Sequence, residues 1–151
     1  MLLELLSVLH VISTLVMVAI IWFVQVVHYP LMAKVGQETF AAYERAHVER
    51  ISWVVVPAMF VELGTALAIL ALGSSILSTL EAALGLTLLA VIWLSTFLIQ
   101  VPLHERLSAR FDAESIGQLV DTNWVRTLAW TMRGGLVAVA LTRAVATGMP
   151  T

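Results

Sequence analysis

Three pairs of polar residues recur at helical spacing in this sequence: Gln25 with His28, Glu44 with His47, and Gln100 with His104. Residues three or four apart share one face of a helix, so each pair presents its two side chains together. Glu44-x-x-His47 is the spacing by which a helix offers a carboxylate and an imidazole to one metal in carboxylate-bridged bundles. With it, His28, Glu62 and His104 complete a candidate ligand set for iron, copper or zinc, metals that imidazole and carboxylate suit. The plain alternative is that histidines near helix ends are hydrated or cap those ends, while Glu44 answers Arg45 or Arg50. His28 and His104 are also candidate axial ligands for haem, which without a Cys-x-x-Cys-His attachment sequence would be held non-covalently.

Other chemistries are excluded by what the chain lacks. Cysteine is absent, so disulfides, thiolate metal ligands, Fe–S clusters and cysteine nucleophiles are ruled out together. No Walker loop, dinucleotide glycine fingerprint, Gly-x-Ser-x-Gly elbow or His-Glu-x-x-His sequence appears, which disfavours standard hydrolases and NTPases. A net charge of -2 gives no basic excess to attract a phosphate backbone, so nucleic acid is not an expected partner.

The elements that must position these residues are written in the composition. Hydrophobic residues make up 60% of the 151 and charged ones 12%, against roughly 25% charged in soluble domains. A helix needs about 20 mostly apolar residues to cross about 30 Å of hydrocarbon. Four stretches meet that test: Leu5 to Val27, Ile51 to Leu72, Leu77 to Val101 and Trp124 to Val145. The expected fold is therefore all-α, a polytopic membrane four-helix bundle forming a single domain over residues 1–151 in contact with the lipid bilayer, with a homo-oligomer open as an arrangement. The apolar N-terminal run lacks the basic start of a signal peptide and reads as the first span.

His28-Tyr29-Pro30 closes that span in this reading, because proline disfavours helix at the residue before it. Phe40, Tyr43, His47 and Ile51 then recur at helical spacing, which predicts an amphipathic interfacial helix leading into the second span, with Pro57 kinking the junction. Gly73-Ser74-Ser75 is a short turn between the second and third spans. Lys34, Arg45, Arg50, Arg106 and Arg110 lie in the other two connections, so the positive-inside rule places those connections in the cytoplasm and both termini outside, as in a bacterial inner membrane protein. Arg143 argues weakly against that orientation.

Glu62 and Arg133 fall at similar depths within their spans, near ~15 Å at 1.5 Å per residue, where charges need partners. They pair either as a structural tie or in ligand chemistry. At the end carrying the three polar pairs, Asn123 and Arg126 enter the fourth span, so all four helices can contribute to one polar chamber. Gln25, Gln100, Asn123, Trp124 and Trp130 are the candidate cofactor- or ligand-binding residues there. Trp124 and Trp130 with Tyr43 suit the wall of a pocket for a planar lipophilic small molecule or quinone, although an aromatic interfacial belt accounts for tryptophans by default. His10 lies toward the opposite side and reads as structural; Gly64 and Gly134-Gly135 read as close-packing positions.

At Gln100-Val101-Pro102-Leu103-His104-Glu105-Arg106-Leu107 and Asn123-Trp124-Val125-Arg126, the sequence resembles the small four-helix membrane family called anthrone oxygenase-like, and the expected topology is similar over most of the chain. That family often has Pro-Leu-Asn where Pro102-Leu103-His104 stands here, so His104 occupies the Asn position. For some of its members the resemblance implies oxygenation of polycyclic aromatic anthrones.

The function expected from these residues is a small membrane oxidoreductase or oxygenase-like protein acting on a lipophilic aromatic or quinol-like compound. His47 or His104 is the expected base, and Arg126 or Arg133 the cation that stabilises the resulting anion. The alternative is a non-enzymatic accessory subunit or small-ligand carrier whose polar residues fix helix packing.

Overall fold

A computed structural model describes residues 1–148. They form four long helices and, among the described residues, no strand: α1 (Leu2–Met32), α2 (Gln37–Leu72), α3 (Thr79–Ala109) and α4 (Ala113–Ala146). The connections are short, residues 33–36, 73–78 and 110–112. The first and last lie at one end of the bundle; the middle one lies at the other, with the N-terminus.

Two sequence expectations are corrected. The first helix does not close at Pro30: α1 continues to Met32, as α3 runs on past Pro102 to Ala109. Both pass their proline by a π-helical turn, Val24–His28 in α1 and Thr96–Gln100 in α3. A proline has no N–H and its ring crowds the carbonyl one turn back; the wider π turn relieves that crowding without ending the helix. Each π turn begins six residues before a proline, 24 to 30 and 96 to 102. The expected interfacial helix is likewise not a separate piece, because α2 runs unbroken from Gln37 through Pro57 to Leu72.

Ser78 and Glu81 form a reciprocal capping box at the start of α3, and Asp112 caps α4 by accepting from the Glu114 N–H. α1, α2 and α3 are long and apolar enough to cross a membrane. α4 is not among them, since Arg126, Arg133 and Arg143 interrupt its apolar run. The first two of those arginines point inward and are buried.

The interior has two apolar clusters. Met17, Ile21, Met59, Leu89, Ile92 and Trp130 pack at mid-height, and Val24, Met32, Phe40, Leu103, Leu107 and Leu119 pack near the end with connections 33–36 and 110–112. Polar residues are buried beside them while Trp53, Phe60, Leu94, Leu98 and Met132 face outward. Gly134 allows close approach of α4 to α1, where an added Cβ would meet Val18 at 3.0 Å. Gly64 and Gly135 serve no such contact, for both face open space.

A tie at mid-height joins all four helices. Arg133 of α4 donates to Glu62 of α2 and to the Gly85 carbonyl of α3, and Glu62 also accepts from Thr14 of α1. His10 completes the group, with Nδ1 2.9 Å from Thr65 Oγ1 and 3.4 Å from Glu62. Glu62 and Arg133 are both buried, so their charges compensate each other out of solvent.

Candidate functional site

The π turns and the adjoining helix ends bring Tyr29 of α1, Glu44 and His47 of α2, Gln100 and His104 of α3, and Arg126 of α4 to the end of the bundle holding connections 33–36 and 110–112. Glu44 is fully buried, and its Oε1 lies 2.5 Å from His104 Nδ1. A carboxylate in that position accepts the Nδ1 proton, which leaves the lone pair on Nε2. Nε2 in turn lies 3.1 Å from the Tyr29 hydroxyl, the remaining donor. Glu44, His104 and Tyr29 thus form a continuous chain of hydrogen bonds.

His104 and Tyr29 of this chain line the polar end of a cavity of about 660 Å³, with Glu44 behind them. Met17, Ile21, Met59 and Val55 line its apolar depth, and along one wall Trp93 meets Phe60 edge-on and stacks on Phe97, with ring centroids 5.6 and 5.3 Å apart. Lining residues Val56 and Phe60 of α2 and Phe97 and Val101 of α3 are exposed, so the cavity opens sideways between those helices. Arg126 lines the polar end beside Tyr29, only 8% exposed, and no carboxylate among the described residues reaches its guanidinium. Gln100 donates to Thr122 at 3.0 Å, while its Oε1 has no partner among the described residues.

His47 and His28 do not chelate. Their rings stack with centroids 4.0 Å apart, and the Tyr43 ring lies nearly parallel to both, with centroids 6.3 Å from His28 and 6.5 Å from His47. His47 belongs to the segment of α2 before Ile51, ahead of the apolar stretch Ile51 to Leu72. Burial, then the neighbouring His28, push its pKa down to about 4, against the opposing pull of Glu44. A folded-state value below the ordinary 6.5 means that the unfolded chain binds the proton more readily. The stabilising contribution is complete above about pH 6.5 and is lost as the pH falls toward 4. Thermal unfolding in mild detergent is expected to show a lower midpoint on acidification through that window, and His47→Asn to flatten this limb; an unchanged limb would show that His47 does not set it.

The candidate metal set is not assembled. Among the described residues, no group of three or more His, Cys, Asp or Glu is placed to hold a metal ion. Glu62 is spent on Arg133 at mid-height, His104 is held between Glu44 and Tyr29, and the rings of His28 and His47 are stacked face to face. Of the two histidines considered as haem ligands, His104 lines the main cavity and His28 does not.

Several candidate binding residues are also occupied elsewhere. Gln25 accepts from Asn123 at 2.7 Å and donates to the Val120 carbonyl at 3.1 Å, binding α1 to α4. Trp124 lies on the outer surface, edge-on to Trp22, and Trp130 is buried in the mid-height core beneath Arg133. Arg133 itself is engaged away from the chamber, so of the two arginines considered for anion stabilisation only Arg126 faces the cavity's polar end. Tyr29 was legible in the sequence only as part of a helix-ending signal, and Trp93 only as one of the tryptophans of a belt.

No family model matches the chain, and neither the curated proteins nor the solved structures provide a match. The likeness to the anthrone oxygenase-like family therefore rests on the two sequence segments that carry it.

Proposed function

We propose that this chain is a small integral membrane protein crossing the bilayer four times, with connections 33–36 and 110–112 on the cytoplasmic side, and that it acts as an oxygenase-type oxidoreductase on a lipophilic aromatic or quinol-like compound. Three apolar helices, an apolar outer surface and charged residues that are paired inside the bundle support the membrane reading, since ionisable side chains in lipid turn inward and find partners. One observation carries the functional reading: the cavity open between α2 and α3 ends on the Glu44–His104–Tyr29 chain and on Arg126. An apolar pocket with a few convergent polar groups is the usual form of a small-molecule site.

The chain of hydrogen bonds is suited to removing a proton. Tyr29 passes its hydroxyl proton to His104 Nε2 as it accepts one from the ligand, and Glu44 stabilises the imidazolium that forms. Arg126 stabilises the ligand anion. Dioxygen then converts a ring methylene into a carbonyl, one oxygen atom entering the product and the other leaving as water, so that the four electrons lost by carbon are those gained by dioxygen.

The test is oxygen uptake by the purified protein in lipid nanodiscs with anthrone as the probe. One dioxygen consumed per anthrone, faster than the spontaneous reaction, is expected. Anthrone that binds, seen by quenching of tryptophan fluorescence, without accelerated uptake would overturn the enzyme reading in favour of a ligand carrier. Anthrone that does not bind would remove both.

A further inference from the structure

A second cavity, of about 360 Å³, lies on the other side of the same polar end. It is formed by Ala19, Ile20, Phe23, Val24 and His28 of α1 with His47 and Ile51 of α2, and the exposed Ala19 and Phe23 mark its outward opening. Ile20, Val24, His47 and Ile51 line both cavities. The partition between them is therefore one layer of side chains, and the two mouths lie on different faces, α1–α2 for one and α2–α3 for the other.

We propose that the second cavity is a separate route by which a small apolar gas, dioxygen in the oxygenase reading, reaches the polar end of the main cavity. The proposal rests on that reading for the identity of the gas. A planar ligand filling the main cavity plugs its own mouth between α2 and α3, so a second reactant that must meet the bound ring needs another way in. The smaller cavity supplies it. Its walls carry five apolar side chains and two imidazoles and no carboxylate, Lys or Arg, so it offers nothing to an ion and no desolvation barrier to an uncharged diatomic molecule. The passage meets the site at His47, whose ring centroid is 5.9 Å from that of His104. Rotation of partition side chains such as Ile20 and Ile51, a motion of ps–ns in mobile side chains, is enough to admit a diatomic molecule but not a fused ring.

Two measurements test this. In nanodiscs under dioxygen pressure, paramagnetic relaxation is read at the Ile20, Val24 and Ile51 methyl groups and the His47 ring. The expected result is strong relaxation at all four, retained when anthrone fills the main cavity. Ala19→Trp, which fills the second cavity from its mouth, should reduce it several-fold, and Phe97→Trp at the other mouth should leave it. Loss of the effect on adding anthrone, or indifference to Ala19→Trp, overturns the route. With anthrone turning over, Ala19→Trp should raise the KM for dioxygen several-fold and leave the KM for anthrone unchanged; an unchanged KM for dioxygen also overturns it. If anthrone neither binds nor reacts, the functional reading fails, while the comparison of the two tryptophan variants still decides whether gas occupies the second cavity.

Discussion

Glu62→Ala and Arg133→Ala are each expected to lower stability by about 3–5 kcal/mol, because either change leaves the opposite charge buried without its partner. The double replacement Glu62→Leu with Arg133→Met is expected to lose far less than the sum, since an apolar pair of similar volume carries no uncompensated charge. Unfolding measured in detergent by tryptophan fluorescence provides the three values. A loss in the double variant equal to the sum of the two single losses would show that the pair does not act as one unit. The expected size of the effect reflects the geometry: Arg133 reaches Glu62 and the Gly85 carbonyl, and Glu62 reaches Thr14, so each single variant disturbs all four helices.

His104→Ala is expected to lower kcat for anthrone oxidation by about a hundred- to ten-thousand-fold, the range that a positioned acid–base group supplies. Its effect on the KM for anthrone should be small, because the apolar walls that hold the ring are untouched. Glu44→Gln should fall in the same direction, as it removes the carboxylate that balances an imidazolium at His104 while leaving a hydrogen-bond acceptor. Tyr29→Phe tests whether the proton travels through the phenol: activity equal to that of the parent would take Tyr29 out of the path and leave His104 to act directly. Unfolding midpoints of the three variants separate lost chemistry from lost structure.

The apolar runs made the four helices legible, because a backbone in lipid has few ways to satisfy its polar groups. The pairing of Glu62 with Arg133 was legible for a related reason, as charges at equal depth in apolar helices have few other partners. The polar end was foreseeable from Glu44 and His104, which meet there across 60 positions of chain. What could not be read was which atoms would be spent. Gln25 and Asn123 carry the residue types of a binding site, yet they bond to each other. His28 and His47 stack where spacing suggested convergence, since ring orientation is fixed by neighbours such as Tyr43 on the same helix and by the approach of α1. Pro30 misled for a local reason: the rule that a helix stops before proline takes no account of a π turn that lets it continue.

Those two wide turns also fix the angular register of everything beyond them. A π turn holds one residue more than the α turn it replaces, and each residue of an α-helix advances the side chains by about 100° around the axis. The wide turn absorbs that extra residue, so deleting a single outward-facing valine such as Val26 would restore the ordinary winding of α1 with Tyr29 still turned toward His104, whereas a deletion in the α-helical stretch ahead of it would swing Tyr29 by about 100°. The alignment of the proton path is thus encoded in a residue count, and Val24–His28 and Thr96–Gln100 are the two places where one residue can be lost while the chamber keeps its register.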